Sequence, residues 1–599
     1  MRNVAIIAHV DHGKTTLVDQ MLQQSGVFRA NQEVKELVMD SEDLERERSI
    51  TILAKNTSVM WKGEKINIVD TPGHADFGGE VERILQMVDG VLLLVDAFEG
   101  PMAQTRFVLR KAFERGLKPI VVINKVDRPH ARPIQVLDEI VSLFCDFDIE
   151  DHQLEFCTVY ASGRDGWAAR GLGDEHKDLA PLFDAIVSEI PEPQGDPEAH
   201  PRMSVAAIDY DKYVGRIAIG RVADGTFRKG QRVSMTDRDG KTRMESIEKL
   251  LVFDKLGKAE VDEVAAGEIC AVVGFSSVEI GETVAHAEHP AFIEVPPVEE
   301  PTISTIFMIN TSPLAGTEGK HVQSRKLRER LFRETECDVA LRVEMTDSAD
   351  SFKVSGRGTL HLGILVEKLR REDYEFAVGK PEVIMHGSEE PMERVFVDVP
   401  EEYAGTVVSM LARRKGELLD LENLGGHVRQ EYRVPARGLI GLRTRLLTAT
   451  KGEAVVQTLF DGYAPHRGEI PGRKNGAQVS MSAGQAMTYS LFNLKDRGTQ
   501  FVKPGDPIYA GMIVGENCRP GDIVVNPTKG KKHSNVRASG SDEATVLSPP
   551  RSFSVEECLE YVQDDELVEV TPTSLRLRKR ILDESTRRKI DRDAKKAVG

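Results

Sequence analysis

Apolar positions in the N-terminal part of the chain fall into short blocks. Val4-Ala5-Ile6-Ile7, Ile66-Asn67-Ile68-Val69, Val91 to Val95 and Pro119 to Ile123 have the length of strands buried on both faces of a sheet. Between the first two blocks, Leu17, Val18, Met21 and Leu22 recur at helical spacing. This alternation predicts a doubly wound α/β domain over residues 1–196, ended by the Pro-rich hinge Pro191-Glu192-Pro193-Gln194-Gly195-Asp196-Pro197.

The pattern then changes. Over residues 202–291 short strands alternate with turns at Asp224-Gly225, Lys229-Gly230 and Asp239-Gly240, as a small β-barrel requires. Pro296-Pro297 and Pro301 mark a second linker. Residues 302–385 and 393–478 each mix strands with helical stretches, Gln323 to Glu334 and Thr359 to Arg371 in the first and Glu402 to Lys415 in the second. Residues 479–599 form a last segment with a different charge pattern.

Composition narrows the class. A chain of 599 residues exceeds one core, and 40% hydrophobic with 29% charged residues suits a folded multidomain protein. No apolar run approaches the roughly 20 residues that span a bilayer, and the N-terminus runs straight into a strand, so no membrane association, no signal peptide and a cytoplasmic location are expected. Six cysteines without a C-x-x-C pair argue against a disulfide framework or a cysteine-based zinc site. A net charge of -17 argues against indiscriminate nucleic-acid binding, so any RNA contact must be local.

The first strand flows into Ala8-His9-Val10-Asp11-His12-Gly13-Lys14-Thr15-Thr16 and then the helix. This is the context of a P-loop: Asp11, His12, Gly13 and Thr16 belong to the turn around the phosphates, Lys14 neutralises the β and γ groups, and the Thr15 hydroxyl ligates magnesium. Ala8 replaces the usual first glycine, and taken alone the segment also fits an ordinary strand-to-helix turn. Asp70-Thr71-Pro72-Gly73-His74 follows the second block, where Asp70 can hold the magnesium shell and Gly73 can offer its N–H to a γ-phosphate. Alone it is equally a tight turn.

Asn124-Lys125-Val126-Asp127 follows the last apolar block. Asp127 can accept from guanine N1–H and the 2-amino group, which adenine does not offer, so GTP is favoured over ATP. Tyr160-Ala161-Ser162-Gly163 is the candidate for a backbone contact to guanine O6. Thr51, in a polar loop between the first two motifs, is placed to close over magnesium. Four such segments in this order, each after a strand, point to one GTP/GDP and Mg2+ site.

AHVDHGKTT, RSITI, DTPGH and NKVD occur here in the order of translational GTPases, which the chain resembles. Tyr210 to Ile217 and Gly220-Arg221-Val222 look like the opening of those factors' second domain; Thr302-Ile303-Ser304 and Ser355 to Leu362 look like the third domain of elongation factor G. The last third is similar to the BipA/TypA family in Pro435 to Gly441, Thr528 to Lys532 and Asp564 to Pro572. The resemblance implies a P-loop G domain, a translation-factor β-barrel, two ferredoxin-like α+β domains and a family-specific C-terminal domain that binds the ribosome. It departs from the family pattern at Ser49, where glycine is usual, and at Ser162-Gly163-Arg164.

The resemblance further implies that His74 orients the attacking water, where Ras-like proteins have glutamine; on the bare sequence His74 is also a surface histidine. It implies an apolar gate of Val10 and Ile50, and an RNA-contacting loop carrying Lys529, Lys531, Lys532 and Arg537, which composition alone leaves as a solvated loop. The expected protein is a monomer that partners the ribosome (large subunit and 70S-type particle) and ribosomal RNA, with tRNA as a further candidate. It would hydrolyse GTP in large-subunit assembly and translation under stress or low temperature. A nucleotide-gated ribosome tether with little turnover is the competing expectation. The tail from Arg576 to Lys596, rich in Lys and Arg, is expected to be a second basic patch or a disordered end.

Overall fold

The computed structural model describes residues 1–9, 11–26, 44, 47, 55–71, 78–145, 147, 155–211, 214–295, 300–338, 340–423, 426–530 and 547–598. They fall into two units, Met1–Glu299 and Glu300–Gly599. The first begins with β1 (Arg2–Ala8), α1 (Lys14–Gln24), β2 (Lys55–Trp61), β3 (Glu64–Asp70), α2 (Gly78–Ile84) and β4 (Gly90–Asp96). It continues with α3 (Ala103–Glu114), β5 (Lys118–Asn124), α4 (Pro133–Cys145), β6 (Cys157–Ser162), β7 (Trp167–Ala169) and α5 (Ala180–Glu189).

These strands form one sheet in the order β2-β3-β1-β4-β5-β6-β7. The five central strands run parallel, with β2 and β7 antiparallel at the edges. Alternate residues explain why the blocks are apolar throughout. Val4, Ile6, Ile68, Leu92, Leu94, Ile120 and Val122 enter a core with Leu17, Val18 and Met21 of α1 and Phe183 and Ile186 of α5. Ala5, Ile7, Val69, Leu93, Val95, Val121 and Ile123 enter the opposite core with Ile84, Leu109, Val136 and Ile140. Neighbouring β3 and β4 lie on either side of β1, so the chain leaves β1 at a topological switch point, where open α/β sheets bind ligands.

A nine-stranded antiparallel sheet follows, wrapped around Met203, Val222, Phe227, Val233, Met235, Leu250 and Val272. In its strand Gly215–Asp224, Ala218 faces that interior whereas Ile217 and Ile219 join the core of the preceding domain. The seam also holds polar groups. Asn3 Nδ2 donates to Asp89 (2.9 Å) and to Gly267 O (2.9 Å), Asn67 Nδ2 donates to Glu268 (3.0 Å), and Arg221 pairs with Asp89 at 2.7 Å. Thr57 and Ser58 of β2 donate to the carbonyls of Lys255 (2.6 Å) and Phe253 (2.9 Å).

In the second unit, Ser351–Gly356, Ile303–Ile309 and Phe376–Val378 are adjacent in an eleven-stranded sheet. Phe376–Val378 pairs antiparallel with Glu566–Val570, so the strands of residues 302–385 and those of the C-terminal segment make one sheet. Helices Thr359–Arg371 and Val555–Tyr561 share its core through Leu362, Leu365, Val555 and Leu559. A buried network stitches the joint. Glu569 accepts from Asn310 (2.9 Å), Ser312 (2.8 Å), Tyr509 (2.5 Å) and Arg576 (3.1 Å). Burial and the Glu569 carboxylate push the Tyr509 hydroxyl pKa up.

A separate four-stranded sheet of Glu417–Asn423, His427–Pro435, Glu389–Pro400 and Val455–Pro465 packs Val395, Val397 and Val434 against Val407 and Leu411 of the helix Glu401–Arg413. The helix Thr359–Arg371 has its predicted bounds, and the other two lie within a few residues of theirs, at Ser324–Cys337 and Glu401–Arg413.

The first residues of the tail depart from expectation, while Arg588, Lys589 and Arg592 further along are exposed. Arg576, Arg578 and Lys579 lie on the strand Leu575–Lys579 and are buried, and a helix runs over Glu584–Val598. Lys579 pairs with Asp565 (2.8 Å) and Glu566 (3.0 Å); burial opposes its charge, but these carboxylates and Asp522 push its pKa up to about 12. Counting cations missed their acidic partners, which lie on the preceding strand and in loops up to about 260 residues away, such as Glu318 beside Arg576.

Candidate functional site

The crevice at the carboxyl ends of the parallel strands brings together Lys14, Asp70 and Asn124 from among the predicted residues. Gly13 adopts φ +89° and caps α1 with no side chain, leaving N–H groups of the first turn directed outward past Lys14, Thr15 and Thr16. A Cβ there would lie 2.6 Å from Asn124 Nδ2, so glycine is required both for conformation and for space. Asp11 is also left-handed, at φ 65°, and keeps its side chain exposed.

Lys14 is buried at the start of α1. Its ammonium lies 2.9 Å from Asp70 Oδ1, at the end of β3, and also donates to the carbonyl of Thr71. Thr71 is held by its hydroxyl, which donates to Ile6 O at 2.6 Å. The strand β3 thus positions a carboxylate against the P-loop lysine.

Asn124, at the end of β5, ties two loops together. Its Nδ2 donates to His12 O (2.9 Å), and its Oδ1 accepts from Gly163 N–H (2.9 Å). Lys125 also donates to Asp11 O and pairs with buried Asp96 at 2.7 Å. Burial opposes ionisation of Asp96, but the Lys125 ammonium and the Phe98 N–H hold its carboxyl below the usual range. Sequence reading passed over Asp96; its position ending β4, between two motif-bearing strands, was the available signal.

His12 is fully buried. Its Nδ1 accepts from Asp96 N–H (3.3 Å) and its Nε2 faces Glu99 at 3.2 Å, a bond that lowers the Glu99 pKa. The loop after β6 holds itself. The Ser162 hydroxyl donates to Asp165 at 2.9 Å, and the Gly163 N–H donates to Asn124 Oδ1. Asp127 is exposed on the rim of a cavity of about 300 Å³, which Val126, Tyr160, Asp165, Trp167, Leu172 and His176 also line. Trp167 stacks on His176 with ring centroids 3.6 Å apart.

Val10, Ile50, Thr51, Gly73 and His74, with Ser49, lie outside the described residues, as do Lys531, Lys532 and Arg537. Lys529 is exposed, after an Asn526 turn in which Oδ1 accepts from Thr528 N–H at 3.0 Å. Among the described residues, Cys145, Cys157, Cys270, Cys518 and Cys558 are free thiols. Among the described residues, no helix is long and apolar enough to cross a membrane.

A P-loop domain with a guanine-selective motif, followed by a small antiparallel barrel and α+β modules, defines a GTP-binding protein of the translation-factor type. Family models agree in sequence order: the elongation factor Tu GTP binding domain matches residues 1–192, elongation factor Tu domain 2 matches 215–285, the elongation factor G C-terminus matches 388–474 and the TypA/BipA C-terminal domain matches 475–584. The large ribosomal subunit assembly factor BipA of Bacillus subtilis (strain 168) is 50% identical over 100% of this chain and 98% of its own. The factors of the same name from Escherichia coli (50%, covering 99% of each chain) and Synechocystis sp. (49%, covering 97% and 98%) are similar over comparable spans. The chain belongs to the BipA/TypA family. A crystal structure of a protein from Thermus thermophilus shares the fold, with a TM-score of 0.53 at 17% identity, covering 78% of this chain and 97% of that one.

Proposed function

We propose that this protein is a ribosome-stimulated GTPase acting in assembly of the large ribosomal subunit, with translation under stress or low temperature as its setting and the cytoplasm as its location. The observation that carries the reading is the convergence of Lys14 after β1, Asp70 at the end of β3 and Asn124 at the end of β5, with Asp127 on the rim, in a chain half identical to proteins named as large-subunit assembly factors. The donor set suits a magnesium nucleotide. The first turn of α1 is uncapped, Gly13 leaves room that a Cβ would fill, and Lys14 faces a carboxylate. Thr15, Thr51 and Asp70 would hold Mg2+, which supplies charge neutralisation at the phosphates when bound.

In this reading Lys14 binds the β and γ phosphates and Gly73 donates its amide to the γ group. Asp127 and Asn124 select guanine, with Lys125, Val126 and Ser162 shaping the pocket. His74 orients water in line with the γ-phosphoryl group, and Val10 and Ile50 gate its approach. Lys529, Lys531, Lys532 and Arg537 contact ribosomal RNA, and tRNA is a further partner of the monomer.

GTP hydrolysis measured alone and with ribosomal particles tests the reading. His74→Ala is expected to keep GTP affinity and lose stimulated turnover. Changing Lys529, Lys531, Lys532 and Arg537 together to alanine is expected to lose stimulation while leaving intrinsic turnover intact. Absence of stimulation by any ribosomal particle would leave a nucleotide-gated tether as the better reading.

A further inference from the structure

The barrel carries three histidines that the nucleotide site does not use. His200 lies in the segment entering the barrel, between the Pro-rich hinge and the strand Arg202–Ser204. His286 ends the strand Thr283–His286, and His289 follows after a tight turn in which His289 N–H donates to His286 O at 3.1 Å. The backbone brings entry and exit together: His286 N–H donates to Pro201 O at 3.0 Å, and Ala285 stands opposite Arg202 in antiparallel register. The three rings gather as a result. His200 stacks on His289 with centroids 3.8 Å apart and lies 5.0 Å from His286. One ligand nitrogen from each ring falls within 4.8 Å of the others, and His200 and His289 are exposed to solvent.

We propose that His200, His286 and His289 form a binding site for a borderline transition-metal dication, with Zn2+ the best fit. Imidazole nitrogens suit zinc, copper and nickel, and three of them with the fourth position left to water form a known tetrahedral zinc arrangement. Magnesium and calcium, which take oxygen ligands, are excluded by the same donor set. A tetrahedral ion at about 2.0–2.1 Å sets its nitrogens about 3.3 Å apart, so the three rings must close by up to about 1.5 Å, which the exposed His200 and His289 side chains can supply. One internal bond competes: His286 Nδ1 accepts from Glu288 N–H at 3.2 Å, so coordination requires this bond to be given up or the ring to turn.

The location decides what such an ion would do. His200 follows the hinge from the G domain, while His286 and His289 precede the linker toward the second unit. A metal there clips the first and last segments of the barrel to each other, a restraint on the barrel and not part of the phosphate chemistry.

The test uses tag-free full-length protein stripped with a chelator and titrated with Zn2+ and, separately, Co2+. The expected result is a single tight equivalent of Zn2+ and a visible Co2+ d–d band of a tetrahedral site. His200→Ala, His286→Ala and His289→Ala should each weaken Zn2+ binding by at least about tenfold, and the triple variant should abolish the band. GDP binding by the same variants should be unchanged, which establishes that they are folded; His286→Asn serves if His286→Ala is not. Equal Zn2+ affinity and an equal Co2+ spectrum in the wild type and the folded triple variant would overturn the proposal, as would a Co2+ spectrum of all-oxygen octahedral coordination in the wild type.

Discussion

Lys14 and Glu569 are both buried charges, and their surroundings could hardly differ more. Lys14, on a flexible stem with three donors, faces the Asp70 carboxylate and the Thr71 carbonyl at the mouth of a crevice. Glu569 sits within a sheet and accepts from Asn310 and Ser312 of one turn, from Tyr509, and from Arg576 on the paired strand. A lysine so placed can exchange its partners for an incoming phosphate at small cost. The carboxylate cannot be altered without stranding several buried donors. A buried charge therefore signals function when its partners are replaceable and architecture when they are not.

The contrast is broken most severely by Glu569→Ala, which is expected to destabilise the second unit by about 3–5 kcal/mol while nucleotide affinity stays unchanged. Denaturant unfolding together with fluorescent-GDP titration would check both halves. Lys14→Ala should do the reverse, lowering GTP and GDP affinity by about a hundredfold, or roughly 3 kcal/mol, with little change in the unfolding midpoint. Asn124→Ala belongs between the extremes. Losing its bonds to His12 O and from Gly163 N–H should cost about 1–3 kcal/mol, appearing both in nucleotide affinity and in stability of the first unit.

Asp96 sharpens the comparison through pH. Its folded carboxyl titrates below the ordinary carboxylate range, so its contribution is present above about pH 4 and is lost as pH falls through the lowered folded value. Acid unfolding of Asp96→Asn should therefore lack part of the wild-type slope in that window. The smallest effect is expected from Ser58→Ala, about 1 kcal/mol, through loss of the bond to Phe253 O in the seam between β2 and the barrel.

Much of the first domain was legible because each motif sits directly after an apolar block, so local pattern and site geometry coincide at Lys14, Asp70 and Asn124. Other features were not, for reasons visible in the chain. Asn67 interrupts the block Ile66-Asn67-Ile68-Val69 and reads as a flaw, yet it is buried and bonds to Asn3 and Glu268 at the barrel seam. The strand Phe376–Val378 has three residues, and its partner Glu566–Val570 lies almost 200 positions away, beyond the reach of any local period. Of the three histidines of the barrel, His200 lies more than 80 residues before His286 and His289, and nothing local joins it to them until the strands pair. The cations Arg576, Arg578 and Lys579 were misjudged because composition counts charges but not the partners that folding assigns them.

The shared sheet of the second unit bears on how this chain can be dissected. Cutting after residue 474 would remove six of the eleven described strands and leave the edge of Phe376–Val378 bare, with Asn310 deprived of Glu569. An uncovered apolar edge of that kind seeks another copy of itself. A truncated chain would then report aggregation where an experimenter sought loss of docking, whereas a charge change at exposed Lys529 leaves every described strand its neighbour.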